Sequence, residues 1–174
     1  MEIKDAIHLL EGANIQPASP QQWTDLGCGD GIFTRALAHL LPAGSFVYGV
    51  DKKKQLLPAK INDVNIAFLQ HDFENDPLPL RQLDGMLLAN SLHYCRNTKM
   101  VLQQLLSFQK AGQERFLIVE YDSTAANRWV PYPLSFDKMK NILIALGFKR
   151  VDKFGERPSV FRREKMYACQ AELF

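Results

Sequence analysis

Thr24-Asp25-Leu26-Gly27-Cys28-Gly29-Asp30-Gly31-Ile32 is the stretch on which the fold turns. An apolar strand candidate, Trp23 to Leu26, runs into it, and a helical pattern from Ile32 to Leu41 leaves it and stops at Pro42 and Gly44. Glycines between a strand and a helix let the backbone turn tightly and approach a ligand without Cβ clashes. The free N–H groups of the following helix point at the same place. A pyrophosphate loop of a dinucleotide enzyme spaces its glycines G-x-G-x-x-G. Here the spacing is G-x-G-x-G, and Ile32 stands where the last dinucleotide glycine belongs. Asp25 and Asp30 flank the loop, and carboxylates suit a ligand bearing ammonium and sulfonium groups better than one bearing phosphates. Taken alone, the triplet also reads as a plain strand-to-helix turn.

The flanking sequence supplies two further strand ends in register with the loop. Val47-Tyr48-Gly49-Val50-Asp51 puts an acid at the end of the next strand, where it can accept from both hydroxyls of a ribose. Leu69-Gln70-His71-Asp72-Phe73 puts another at the end of the strand Ile66 to Gln70. There a carboxylate can accept from an exocyclic adenine amine, with Phe73 giving backbone donors or a ring face. In open α/β sheets ligands lie across the carboxyl ends of strands, so these ends converge on one crevice.

The rest of the chain alternates in the same way. Lys52 to Lys60 reads as a weak helix interrupted by Pro58. Leu83 to Ala89 is continuously apolar, as a central parallel strand covered on both faces should be. Asn97 to Lys110 is a helix with Val101, Leu102, Leu105 and Leu106 as its buried stripe, and Phe116 to Val119 is a strand. Residues 122–135 are irregular, and Phe136 to Leu146 is the last helix. Lys149 to Phe154 and Ser159 to Leu173 form a terminal hairpin with its turn at Gly155 to Pro158. Strands and helices alternating up to that hairpin predict a three-layer α/β sandwich on a mainly parallel sheet, antiparallel at its C-terminal strand. The expectation is one domain over residues 1–174. Residues 1–20 form a helical extension, with Ile3 to Glu11 an amphipathic helix outside the core sheet, and 21–174 form the core.

Composition excludes several classes. A chain of 174 residues holds one full core and is short for two. With 47% hydrophobic and 23% charged residues it is globular rather than disordered. A net charge of +2 gives no broad footprint for nucleic acid or anionic membrane. The short runs Lys52-Lys53-Lys54 and Arg162-Arg163 read as solvated surface. Cys28, Cys95 and Cys169 are an odd, scattered set, which suits reduced thiols and a cytoplasmic setting. No apolar run approaches the roughly 20 residues of a membrane helix, and the N-terminus shows no signal-peptide core. Neither C-x-x-C nor H-x-x-x-H occurs, so no metal site is expected.

Asp25-Leu26-Gly27-Cys28-Gly29-Asp30-Gly31 resembles the glycine-rich first motif of class I, Rossmann-like S-adenosylmethionine-dependent methyltransferases. Val50-Asp51 is similar to their ribose acid, and His71-Asp72-Phe73 to their adenine motif. Leu88-Ala89-Asn90-Ser91-Leu92-His93-Tyr94 is similar to the segment after their fourth strand. The resemblance spans roughly residues 20 to 174. It implies a seven-stranded sheet with the last strand inserted between the fifth and sixth, and S-adenosylmethionine as cofactor. It also implies that the Gly27 and Gly29 backbone lines the methionine moiety with Asp25 supporting the loop, that Asp51 holds the ribose and Asp72 the adenine amine, and that Asn90 lies near the sulfonium and amino group. Cys28 and Lys52 complete the expected cofactor set.

Methyl transfer from a sulfonium is a direct displacement in which the protein supplies alignment, desolvation and, where needed, a base. His93 is the candidate to orient or deprotonate an acceptor; filling or capping its loop is the alternative. Tyr94, Trp129 and Tyr132 are candidate substrate contacts, with the N-terminal helix, residues 91–97 and residues 122–135 as the pieces left to build the acceptor site. The Asn/Asp-Pro-Pro-Tyr signature of amino-methylating relatives is replaced by Asn90-Ser91-Leu92-His93, which disfavours a DNA-base N-methylating enzyme. The expected acceptor is a small molecule, and the chain a monomer or homodimer. The rival readings are an RNA or protein methyltransferase with an open cleft, and a non-catalytic cofactor-binding partner subunit. A nicotinamide oxidoreductase is disfavoured by Ile32.

Overall fold

The computed structural model describes residues 1–15, 18–158 and 165–174. Chain order is α1 (Ile3–Leu10), β1 (Gln22–Leu26), α2 (Ile32–Leu40), β2 (Phe46–Asp51), β3 (Lys60–Ile61), β4 (Val64–Gln70) and β5 (Gly85–Ala89). A 3-10 turn (Leu92–Tyr94), α3 (Thr98–Leu106), β6 (Arg115–Tyr121), α4 (Phe136–Ala145), β7 (Arg150–Pro158) and β8 (Lys165–Glu172) follow. The strands form one sheet in the order β3-β4-β2-β1-β5-β6-β8-β7. β1, β2, β4, β5 and β6 pair in parallel, while β8 pairs antiparallel with both β6 and β7.

The last strand is thus inserted where the resemblance implies, and the architecture is the expected mainly parallel α/β sandwich. The strand count is eight among the described residues rather than seven, because the two-residue β3 adds an antiparallel edge to β4.

Burial follows the pleat. β5 is buried along its whole length, and its side chains alternate between two cores. Met86 and Leu88 join Val101, Leu102 and Leu105 of α3 and Met139 and Leu143 of α4 on one face. Leu87 and Ala89 join Phe33 and Leu37 of α2 and Leu9 and Leu10 of α1 on the other. Gly85 lies against the Trp23 indole; a Cβ there would stand 2.4 Å from the ring.

Four sequence expectations need correction. Residues 52–60 form no helix: Leu57 folds down onto the faces of Gly31 and Gly49, where added Cβ atoms would meet its methyls at 2.3 and 2.4 Å. That packing holds Leu57 against the glycine loop and β2. No helix forms between β4 and β5 either, so the alternation is incomplete there. The terminal hairpin does not turn at Gly155 to Pro158, because β7 runs through them, with a bulge between Lys153 and Gly155. At Gly155 the carbonyl of Leu9 comes so close that a Cβ would be 2.5 Å from it, so glycine lets α1 dock on β7. The first half of the expected last strand, Ser159 to Glu164, with Arg162-Arg163, lies outside the described residues, as does Pro17. α1 forms and lies outside the sheet, as expected. Ala6, Leu9 and Leu10 are buried against the core it shares with α2. α3 is also shorter than expected, running from its Asn97 cap, whose side chain accepts the Met100 N–H, to Leu106.

Candidate active site

Strand order reverses between β1 and β5, since the chain leaves β1 for β2 on one side and returns as β5 on the other. The carboxyl ends of β1, β2, β4 and β5 open there into a cleft of about 500 Å³. That volume is in the range of small-molecule sites.

The glycine loop is built against β2. Gly27 and Cys28 donate their N–H groups to the Val50 carbonyl at 2.8 and 3.0 Å. Gly29 donates to Asp51 Oδ2 at 3.0 Å, and Asp51 Oδ1 accepts from the Lys53 N–H at 2.8 Å. Gly27, Gly29 and Gly31 all have positive φ, and an added Cβ at Gly27 would stand 2.5 Å from Ser91 Cβ. The ends of β1 and β5 therefore touch through a position that only glycine can fill. Across the cleft, Asp72 accepts from the Asn75 side chain at 3.0 Å and the Glu74 N–H at 3.2 Å. The Asn75 hydrogen bond, foremost, holds its carboxyl below the usual range.

Asn90 ends β5 in a left-handed conformation, φ +53°, with its N–H bound to the Val119 carbonyl at 2.8 Å. Its buried side-chain Oδ1 has no partner among the described residues, and neither has the Ser91 hydroxyl beside it. Buried acceptors left bare beside a cleft are a place for a ligand to donate.

Of the residues singled out from sequence, Gly27, Gly29, Asp51, Lys52, Asp72, Phe73, Asn90 and Tyr94 line this cleft. Asp25 and Cys28 lie behind it. Asp25 is buried under the loop, with the Thr34 hydroxyl donating to Oδ2 at 2.6 Å and Oδ1 unpartnered among the described residues. Burial pushes its carboxyl up from 3.8 to about 7, against the Thr34 hydrogen bond. Burial also raises the Cys28 thiol, so it stays neutral. His93 is a buried residue of the 3-10 turn, with Nδ1 2.6 Å from Glu120 Oε2. Trp129 and Tyr132 are exposed outside the cleft lining, on a loop anchored by buried Val130 and Leu134. The Tyr132 N–H reaches the His93 carbonyl at 3.0 Å, so this loop abuts the rim. The N-terminal helix contributes nothing to the lining. Sequence reasoning missed Gln55 and Glu74 in the cleft, read the cleft-lining Lys53 as solvated surface, and missed Glu120 behind the cleft; no local spacing announces any of them.

The methyltransferase-domain family pattern matches residues 24–112, half of the chain, and covers the glycine loop and the strand ends just described. The chain belongs to this methyltransferase family. Its cofactor is S-adenosylmethionine, which the bare Gly27 cradle and the unpaired Asn90 and Ser91 oxygens fit. No curated protein matches. Solved structures share the fold at low identity. The YcgJ protein of Bacillus subtilis is 12% identical at a TM-score of 0.67, over 97% of this chain and 98% of that one. A putative methyltransferase of Bacillus halodurans C-125 is 11% identical at 0.69, over 98% and 99%. The 1,6-didemethyltoxoflavin-N1-methyltransferase of Burkholderia thailandensis, solved with 1,6-didemethyltoxoflavin and S-adenosylhomocysteine, is 19% identical at 0.69, over 98% and 77%.

Proposed function

We propose that this methyltransferase transfers the methyl group of S-adenosylmethionine to a small-molecule acceptor by direct displacement. The observation that carries the reading is the convergence of four strand ends on one cleft that offers carboxylates, bare backbone and an unpaired amide oxygen. When bound, the cofactor supplies an electrophilic methyl on a sulfonium. Asp51 accepts from the ribose hydroxyls with the lone pairs its two backbone donors leave free. Asp72 accepts the adenine amine, and Phe73 gives a ring face. The Gly27 and Gly29 backbone runs along the methionine part, Asn90 Oδ1 faces its cationic groups, and Asp25 stiffens the loop from below. Lys52 closes the ribose side.

A small acceptor is supported by the modest cleft and by the absence of an inserted substrate domain among the described residues. The 1,6-didemethyltoxoflavin bound to the Burkholderia neighbour points the same way. Tyr94 lines the cleft, and Trp129 and Tyr132 stand beside its rim as the acceptor's aromatic wall. The three free cysteines fit a reducing cytoplasm, and residues 1–174 work as one domain. Among the described residues no helix is long and apolar enough to cross a membrane.

Calorimetry tests the reading. S-adenosylmethionine and S-adenosylhomocysteine bind and NAD does not; a chain that ignores both sulfur nucleosides at millimolar concentration is not this enzyme.

A further inference from the structure

A second groove, of about 370 Å³, adjoins the cleft. Its walls are Glu74, Asn75, Arg96, Asn97, Met100 and Val101, none of which has a part in holding the cofactor as read above. Glu74 lines both spaces, and Tyr94 and Cys95 of the cleft run directly into Arg96 and Asn97 of the groove. The two spaces therefore meet along one seam, where the loop after β4 faces the turn after β5. The groove is of a size that takes a small organic group.

Asp72 stands at that seam. It lines the cleft, while the two groups that hold its carboxyl line the groove: Asn75 Nδ2 donates to Oδ2 at 3.0 Å, and the Glu74 N–H to Oδ1 at 3.2 Å. Each oxygen keeps a lone pair for a further donor. Burial, followed by the charges of Glu74, Glu120 and Asp72, pushes the Cys95 thiol up to about 12, so the loop after β4 does face the turn after β5. Yet among the described residues no side-chain hydrogen bond or ion pair joins residues 71–76 to residues 90–97. No bonded pair of side chains bars the way from cleft to groove. The groove's apolar lining is Val101, which is buried, and Met100, 59% exposed in the first turn of α3, where Asn97 accepts its N–H at 3.2 Å. An unbranched thioether adapts its shape to whatever it covers.

We propose that this groove receives a single alkyl or aryl substituent carried on the adenine amine, so that the protein binds cofactor-type nucleosides extended at that nitrogen. This rests on the methyl-transfer reading, with Asp72 on the amine, and adds a ligand class to it. The amine has two hydrogens. One donated to Asp72 leaves the other position free to carry carbon, and the seam beside Asp72 leads that carbon to Met100 and Val101. An apolar group gains there by leaving water. Two substituents on the amine leave no hydrogen for Asp72, and the carboxylate then loses a charge-assisted bond. The groove thus tells one substituent from two.

Calorimetry on the full chain tests this with three compounds: S-adenosylhomocysteine, its derivative with one benzyl group on the adenine amine, and its derivative with two methyl groups there. The benzyl compound binds wild type within about threefold of the parent or more tightly. The dimethyl compound binds about tenfold or more weakly, the worth of one hydrogen bond to a charged group. Met100→Trp fills the groove, so it weakens the benzyl compound about tenfold or more and leaves the parent within twofold. A second readout needs no substitution. In protein labelled at the methionine methyls, the Met100 signal shifts when the benzyl compound binds, through the ring current, and stays in place when the parent binds.

A benzyl compound more than about threefold weaker than the parent on wild type overturns the proposal, and so does a dimethyl compound that loses less than tenfold. Met100→Trp that spares the benzyl compound overturns it too. Should that variant weaken the parent as well, the methyl signal decides, and a Met100 methyl that ignores the bound benzyl compound sinks the idea. If wild type binds the parent and refuses the benzyl compound, only this proposal falls. If wild type binds no S-adenosylhomocysteine, the methyl-transfer reading itself falls, and this proposal with it.

Discussion

The carboxylate of Asp51 accepts the Gly29 N–H at 3.0 Å, which ties the end of β2 to the loop that follows β1. One side chain thus braces the glycine loop and, on the proposed reading, binds the ribose. Asp51→Ala removes both, and S-adenosylhomocysteine binding should weaken about 10- to 100-fold, the worth of one to two charge-assisted hydrogen bonds. Asp51→Asn keeps an acceptor for Gly29 and should weaken binding less. Calorimetry on the two variants measures the gap; an alanine variant that binds within threefold of wild type removes Asp51 from the ribose.

Gly27 and Gly29 both sit at positive φ, yet their surroundings differ. Nothing lies within 4 Å of an added Cβ at Gly29, whereas at Gly27 it would meet Ser91. Gly29→Ala should therefore cost only left-handed strain, about 1–2 kcal/mol. Gly27→Ala adds a clash with the Ser91 side-chain Cβ and should cost about 3 kcal/mol or more, with cofactor binding lost. Adding Ser91→Gly to Gly27→Ala should return part of the stability, because the two sites share one contact. Thermal melts of the four chains decide it, and equal losses at Gly27 and Gly29 would mean β1 and β5 do not meet as described.

The loop and the strand ends were legible because their signals are local: glycines where the backbone must turn, an acid where a strand stops, an unbroken apolar run at β5. What the sequence concealed depends on contacts between distant residues. Lys52 to Lys60 has weak helical spacing, and nothing nearby says that Leu57 will be drawn onto Gly31 and Gly49. Gly155 looks like a turn residue until α1 is seen to dock against it. Glu120 reads as a polar end to an apolar strand, and His93 as a loop histidine. Only the parallel pairing of β5 with β6 brings them together.

Trp129 is 68% exposed and sits outside the cleft lining, with the Arg128 guanidinium 5.7 Å from its ring. Trp129→Ala should change stability by no more than about 0.5 kcal/mol, as at other exposed sites. Binding of S-adenosylhomocysteine should stay within twofold. If the loop is the acceptor's wall, the same variant raises KM for the acceptor several-fold at unchanged cofactor affinity. Steady-state kinetics with each substrate varied in turn separates these outcomes, and an unchanged acceptor KM takes Trp129 out of the acceptor site.

Asp25 gives the free protein a pH dependence of definite sign. Its carboxyl is raised by burial from 3.8 in the unfolded chain to about 7 in the fold, so between those values the folded state holds a proton that the unfolded state has released. Stability from this group is complete below the unfolded value, falls as pH rises, and is fully lost above about 7. At 1.36 kcal/mol per unit the swing has a ceiling of about 4 kcal/mol. Asp72 works in the opposite direction, since its lowered carboxyl loses stability as pH falls, so the wild-type curve alone is a sum. Asp25→Asn isolates the term. Thr34 can still donate to the amide oxygen, and an NH2 group at the unpartnered position adds a cost that does not vary with pH. The slope therefore carries the test, and the variant should gain on wild type steadily from pH 4 to pH 7 in denaturant titrations. Parallel curves for the two proteins would mean that Asp25 is already ionised in the fold at pH 4.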